Sequence, residues 1–467
     1  MAEGSIDEAR ELFRSGRHEE AIRRVADVLQ TDPEQVDARF FLGQLALLRS
    51  MYNDAITNFE RVIAVEPTHL EAWGGAARAY QFRYHATCHK NPEARADLAA
   101  AIAAFRRAAD LAPDPVEYLE ELWLALGNYG QAMEGSEALR RADEFRATAP
   151  AYAELRSLGL RFLLSAPTPR NPSRLGFPSG NVGIGHISFL DMYAKLEQLG
   201  WIERKRTIVL APREKVVNFA FLEYFKDYFS IVTDPVLIAA LTPLAERLDR
   251  DISFSVQVRD QYLPAGFAVA AAERQWRAEG RPPLLRLQED HRRRGWEALV
   301  RHGIPGDAWW VCLHVRERGF HGDQSGNEMN NCEINTYLPA IESITRRGGW
   351  VFRMGDPSMR PLPKMSRVVD YVHTDLRSDW MDVFLCAACR FFLGSGSGLA
   401  FVPHCFGVPF LLTNCIPLVG GCPFSPNALF LPKLLRRTVG AEVLSFAQMI
   451  ASVPTAVQGA IYRQQGL

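Results

Sequence analysis

The chain has 467 residues, a formal net charge of -1, 48% hydrophobic residues and 23% charged residues. That length allows about two to four domains, and that balance excludes a disordered or fibrous chain and gives no electrostatic footprint for nucleic acid or an acidic membrane. The 8 cysteines are too sparse for a disulfide scaffold, and the opening Met-Ala-Glu-Gly-Ser-Ile-Asp-Glu lacks the basic and apolar regions of a signal peptide, so reduced thiols and a cytoplasmic location are expected.

Residues 1–150 repeat. Pro33, Pro67, Pro113 and Pro150 each close a helical stretch, at spacings of 34, 46 and 37 residues. The first spacing is the tetratricopeptide period, and the second is that period plus an insertion around 82–91. Glu20-Ala21-Ile22, Asp54-Ala55-Ile56 and Ala100-Ala101-Ile102 occupy the same place in the second helix of their units. Ala55 and Ala101 are small where paired helices cross, and Phe59 and Phe105 follow to fill the next gap. Leu42-Gly43 and Trp73-Gly74 mark the first helices. The pattern resembles tetratricopeptide repeats and predicts an all-α solenoid with a groove for a peptide or partner helix. Capture of a protein partner and self-association into a homodimer both remain open. In the insertion, His85, Cys88 and His89 lack a fourth ligand, so no metal is expected there.

Beyond Pro150 the pattern changes. Residues 151–164 read as a connecting helix and 167–172 as a turn-rich linker. Gly180, Gly183 and Gly185 then form a loop feeding a helix over 187–199, and the order of residues is not a dinucleotide fingerprint. Residues 206–211 and 228–232 read as buried strands alternating with helices. This predicts a first Rossmann-like lobe over 151–300, with ligands at the carboxyl ends of its strands. His186, in the glycine loop with Gly183 and Gly185, is the candidate functional residue on this side, against the ordinary alternative of a structural loop histidine. Arg292-Arg293-Arg294 reads as a solvated helix face.

The last third, 301–467, predicts a second such lobe. Strands are expected over 309–315, 350–354 and 368–371, with helices over 337–346 and 378–389 and Ser378 as an N-cap. The stretch 390–409 reads as a strand end, the small-residue turn Gly394-Ser395-Gly396-Ser397-Gly398, a helix opening over 399–405 and a return to an apolar strand at 410–413. The apolar run 401–419 is broken by Pro403, His404, Pro409, Asn414 and Pro417, so no integral membrane segment is expected. Cys386 and Cys389 have redox spacing but fall inside an apolar helix, where core packing is expected.

Three strands therefore end in polar loops: His314-Val-Arg316-Glu317, Arg353-Met-Gly-Asp356 and Gly394–Gly398. In a parallel sheet these ends share one edge. Arginine can fork two hydrogen bonds to a diphosphate. Glycine-serine backbone at a helix start adds further donors. Asp356 could accept from a ribose or a base. Taken singly, each residue has an ordinary reading as a surface ion pair; together they predict a phosphate site.

Leu313-His314-Val315-Arg316-Glu317 looks like the His-x-Arg motif of fucosyltransferase-like enzymes of the GT-B glycosyltransferase class. The run from Cys312 to Pro417 also resembles a bacterial glycosyltransferase family, through Cys312-Leu-His-Val-Arg-Glu, Gly348-Gly-Trp-Val-Phe-Arg-Met-Gly-Asp356, Asp370-Tyr371, Arg390-Phe-Phe-Leu-Gly-Ser-Gly-Ser-Gly-Leu and 414–417. The resemblance implies Arg316 as the ligand of the donor diphosphate, with Ser395, Gly396 and Ser397 where such folds hold phosphate. Glu317-Arg318 departs from the Arg-x-Asp of some relatives, which leaves the donor open, a GDP-sugar among the candidates.

The resulting expectation is a tetratricopeptide solenoid followed by two Rossmann-like lobes, a GT-B-like α/β transferase using a nucleotide diphosphate sugar, without a cofactor or metal. Donor contacts are expected from His314, Arg316, Arg353, Asp356, Ser395, Gly396, Ser397 and Gly398. His186, Glu317 and Asp323 are candidates for a general base, Asp323 with His321 in a loop that could close over the donor. The acceptor is a protein presented by the repeats, a glycan or a small molecule. A non-catalytic repeat scaffold and a nucleotide-sugar epimerase or hydrolase are the alternatives.

Overall fold

The computed structural model describes residues 3–87, 94–129, 131–163, 183–250, 255–259, 261–317, 328–416, 427–452, 462 and 466–467. It divides into two compact units, Met1–Ala149 and Pro150–Leu467.

The first unit is built from helical hairpins: α1 (Glu3–Arg14) with α2 (His18–Thr31), α3 (Val36–Leu48) with α4 (Tyr52–Val65), α5 (Leu70–Thr87) with α6 (Arg95–Leu111) and α7 (Val116–Tyr129) with α8 (Ala132–Thr148). Pro33, Pro67, Pro113 and Pro150 each fall two residues past the end of the second helix of a pair. A proline there lacks a backbone donor and disfavours helical geometry in the residue before it. Ala21, Ala55 and Ala101 are fully buried. The ring of Phe59 fills the space beside Gly43 and Gly75, where a Cβ would come within 2.7 and 2.6 Å of it, so these glycines set how closely neighbouring helices approach. Cys88 and His89 lie outside the described residues.

The second unit carries two parallel sheets. The strands are β1 (Leu160–Leu163), β2 (Arg206–Leu210), β3 (Ser230–Val232), β4 (Asp249–Arg250), β5 (Ser255–Val258), β6 (Gln261–Pro264), β7 (Trp310–His314), β8 (Trp350–Arg353), β9 (Val368–Val369), β10 (Phe391–Ser395), β11 (Phe410–Cys415) and β12 (Ala428–Pro432). The first sheet has the order β3-β2-β1-β4 and the second β12-β11-β10-β7-β8-β9, with every pairing in both parallel; β5 and β6 form a separate antiparallel hairpin.

One expectation fails here. Residues 151–164 do not form a single connecting helix. The helix covers only Ala153–Ser157; Gly159, at φ 60°, turns the chain, and β1 follows as an inner strand of the first sheet. Four residues are too few for a strand period to outweigh the helical spacing beside them.

Strands buried on both faces read as continuous apolar runs, and every residue of β7 is buried. A single core runs from Leu163 and Val209 of the first sheet to Cys312, Phe352 and Phe392 of the second. In it, Trp310 packs 5.7 Å from Phe384, centroid to centroid, and Cys386 and Cys389 are buried beside Cys312. Among the described residues, no helix is long and apolar enough to cross a membrane.

Strand order decides where a ligand can enter. The chain builds β7, β8 and β9 outward to one side, then returns to place β10, β11 and β12 on the other. Adjacent connections therefore diverge between β7 and β10, opening a crevice at their carboxyl ends, and the same reversal lies between β1 and β4 in the first sheet.

Candidate anion site at the sheet crossover

Gly394 pairs with His314 across β10 and β7, and a Cβ on Gly394 would meet the His314 carbonyl oxygen at 2.2 Å. This close approach brings the chain beyond β7 against the turn beyond β10. The backbone N–H of Arg316 donates to Ser395 Oγ at 2.8 Å, and the carbonyl of Arg316 accepts from the N–H of Cys332 at 2.8 Å. Arg316 is thus fixed at the mouth of the crossover, two residues past the end of β7. Its guanidinium is half-buried, burial lowers its pKa, and among the described residues no carboxylate pairs with it. A cation removed from water without a counterion is costly, so this guanidinium is poised for an anion.

Ser397, Gly396 and Gly398 are half-exposed beside it. Ser397 Oγ lies 3.1 Å from His314 Nδ1. Burial, with Arg316 and Arg353 adding repulsion, holds the His314 pKa down to about 4. His314 is therefore neutral at neutral pH and serves to orient the Ser397 hydroxyl.

Several expected ligands are spent elsewhere. Arg353 does not reach the mouth: its side chain is fully buried, 2.9 Å from Glu317 Oε2 and 3.2 Å from Asp370 Oδ1, and it donates to the Arg360 carbonyl at 2.5 Å. A guanidinium beneath the sheet edge with two acids on it is a structural ion network. The same network engages the Glu317 carboxylate, which also accepts from the Arg360 N–H at 3.3 Å, so Glu317 is not a free base. Ser395 is fully buried and its Oγ accepts from Arg316, which makes it a pin rather than a phosphate donor. Asp356 caps its own turn by accepting from the Ser358 N–H at 2.9 Å. The expected helix over 399–405 is a 3₁₀ turn, Gly398–Ala400, followed by the five residues Phe401–Cys405, too short for a helix dipole to be part of the site. Ser378 stands at the start of its helix without a side-chain capping bond.

On the other side, Gly183 precedes the short helix Ile184–Ile187. Gly185 touches Gly398: a Cβ on Gly185 would lie 2.7 Å from Gly398 Cα, and one on Gly398 would lie 2.8 Å from Gly185 N. The two glycine loops meet backbone to backbone, and only glycine permits that at either position. His186, the next residue, is largely desolvated and its pKa is held down to about 4 by burial. It is neutral, as a proton acceptor must be. Gly180, His321 and Asp323 lie outside the described residues.

The sequence reading missed the polar shelf beside Arg316. Asn414 adopts φ 54° at the end of β11 and donates from Nδ2 to the Tyr337 hydroxyl at 3.2 Å. That hydroxyl also bonds Thr413 Oγ1, which in turn donates to the Gly394 carbonyl at 3.2 Å. Lys433 Nζ donates to the carbonyls of Met329 and Asn331 at 2.5 and 3.0 Å, fastening the 328–337 segment over the strand ends. The available signal was Thr413-Asn414 directly after an apolar strand, asparagine being among the few residues that tolerate a left-handed backbone.

No protein-family model matches the sequence, and no curated protein matches it. Among solved structures, MamA (41-end) from Desulfovibrio magneticus RS-1 is similar over 32% of this chain and 78% of its own, at 20% identity and a TM-score of 0.28. TTC0263, a thermophilic TPR protein of Thermus thermophilus, is similar over 34% of this chain and 82% of its own, at 19% identity and 0.27. The glycosyl transferase family 9 protein from Veillonella parvula DSM 2008 is similar over 59% of this chain and 79% of its own, at 14% identity and 0.27. At these TM-scores the likenesses carry no functional weight; the helical hairpins and parallel sheets stand on the pairings above.

Proposed function

We propose that the chain transfers a glycosyl group from a nucleotide diphosphate sugar, in a GT-B-like pairing of the two parallel sheets. The carrying observation is the half-buried guanidinium of Arg316, unpaired with any acid among the described residues, at the β7/β10 crossover beside the half-exposed turn 396–398. In this reading Arg316 holds the diphosphate with the N–H groups of that turn and the Ser397 hydroxyl. As the bond between sugar C1 and the diphosphate oxygen breaks, negative charge grows on the leaving group, and these fixed donors stabilise it. The acceptor hydroxyl forms the new bond to C1 and gives up its proton; His186 is the candidate to receive it if the reaction inverts. The tetratricopeptide-like arm offers a surface for a protein acceptor or partner. The reaction is expected in the cytoplasm, and turnover is expected to survive EDTA.

Calorimetry with UDP and GDP, followed by release of labelled sugar from the donor that binds, tests this. Binding of at least one nucleotide that is lost in Arg316→Ala supports the reading. Absence of binding to the intact protein would overturn it in favour of a scaffold.

A further inference from the structure

The mechanism above leaves unused a buried ionic cluster behind the two glycine loops. Asp191 and Lys195 lie on the helix Phe189–Gln198, Glu273 on Ala265–Ala278 and His404 on Phe401–Cys405. Their relative exposures are 3%, 3%, 5% and 7%. Lys195 Nζ is 2.6 Å from Asp191 Oδ2 and bonded to Glu273 Oε1; Glu273 Oε1 is also 3.5 Å from His404 Nε2, and Arg277 Nε stands 3.6 Å from Glu273 Oε2. Ligand atoms of Asp191, Glu273 and His404 lie within 4.8 Å of one another, a spacing that could hold a metal ion. The Lys195 ammonium already stands among them as the cation, so the cluster is an internal ion pair.

Its position in the chain gives it a role. Asp191 lies six residues after Gly185, and His404 six residues after Gly398. The cluster and the Gly185–Gly398 contact therefore join the same two segments at two points. We propose that Asp191, Lys195, Glu273 and His404 are positioning residues, a buried clamp that holds the Gly183–His186 loop against the Ser395–Gly398 loop so that both crossovers open onto one site. A buried ion pair is a poor source of stability, since apolar replacements are often as stable, but it is directional: the Lys195–Glu273 bond fixes one register between two helices, and the neutral His404 ring rests against the same Glu273 carboxylate at 3.5 Å. Supporting this, Asp191 Oδ1 and His404 Nε2 are buried with no hydrogen-bond partner, and burial, opposed by Lys195, pushes the Asp191 pKa up to about 6. These are costs that added stability would not explain.

The effect on donor binding rests on the transferase reading; the effect on the loops does not. The test uses the full chain with Asp191→Asn, Lys195→Met and Glu273→Gln combined, which removes three charges at nearly constant shape. The expected result is a folded protein with a thermal midpoint near the parent's. Amide exchange should be faster by about tenfold in both glycine loops together, and UDP or GDP affinity weaker by a similar factor. The single substitution Lys195→Arg, which keeps the cation between both carboxylates, should leave loop exchange and affinity close to the parent's. Unchanged exchange in both loops of the folded triple variant, or faster exchange in one loop only, would overturn the clamp. If the triple variant does not fold, His404→Leu is read by the same exchange, with the same two outcomes. If the parent binds neither UDP nor GDP, the transferase reading fails while loop exchange still decides the clamp.

Discussion

Arg353 ends β8 and Arg316 lies two residues past the neighbouring β7, yet their surroundings predict opposite consequences on truncation. In Arg353→Met, Glu317 and Asp370, whose side chains are only 12% and 19% exposed, lose their shared cation. Breaking a buried ion network from one side costs about 3–5 kcal/mol, which for a unit of this size lowers the thermal midpoint by about 5–10 °C. In Arg316→Ala no carboxylate among the described residues is abandoned and a half-buried cation is removed, so the unliganded midpoint should hold or rise slightly. Its cost should appear on binding. Two charge-assisted hydrogen bonds to a diphosphate contribute roughly 3 kcal/mol, a loss of about 150-fold in Kd. Thermal melts with and without UDP or GDP, paired with calorimetry, separate the two. Arg353→Met should melt early yet keep its ligand-induced shift while folded; Arg316→Ala should melt normally and show no shift. An Arg316→Ala protein that melts as early as Arg353→Met, or that binds nucleotide like the parent, would refute the assignment.

The touching glycines predict that Gly185→Ala forces the two loops apart, since the new Cβ meets backbone at 2.7 Å; overpacking of this kind costs about 1–3 kcal/mol, and turnover should fall more than the thermal midpoint does. Desolvation holds the pKa values of His186, His314 and His404 down to about 4 and pushes those of Asp191 and Asp382 up to about 6. Between about pH 8 and 5 the unfolded chain gains about three protons on these histidines, whose ordinary pKa is about 6.5, and the native state about two on these aspartates. From these five groups, stability should be flat above about pH 8, fall by about 1.4 kcal/mol per unit between about pH 6.5 and 5, and level off near pH 4; urea midpoints at pH 7 and 5 check this, and His314→Gln should flatten the slope. Deleting 1–149 and assaying transfer to a small acceptor tests the arm: retained transfer to small molecules with loss of transfer to protein would assign it to acceptor capture.

Legibility in the sequence followed the range of the forces involved. The helical pairs could be read because their determinants are local: a proline two residues past each second helix, and alanines and glycines at fixed offsets where helices cross. Strands β7, β8, β10 and β11 could be read as apolar runs closed by polar loops. What could not be read is which polar group faces which. Arg353 and Arg316 look alike in sequence, one ending a strand and the other two residues beyond one. Glu317 and Asp370, 36 and 17 residues from Arg353, turn it inward, and nothing in the local pattern announces that pairing. Ser395 and Ser397 differ in the same way: Ser395 is the last residue of β10, buried under the Arg316 amide, while Ser397 stands in the turn beyond the strand and is half-exposed.

Close approach of the chain explains why the site holds few exposed donors. A crossover needs its strands close enough for backbone to touch backbone, as at Gly394 with His314 and Gly185 with Gly398. Close approach excludes side chains from those positions and buries the polar atoms next to them, so most of the polar inventory at the strand ends is consumed in holding the loops. The groups left partly exposed lie just past the strand ends: Arg316, Gly396 and Ser397. If a ligand is bound here, it has to be small and highly charged at its point of contact, because one guanidinium and a short stretch of backbone can neutralise a diphosphate but cannot by themselves grip a large neutral surface.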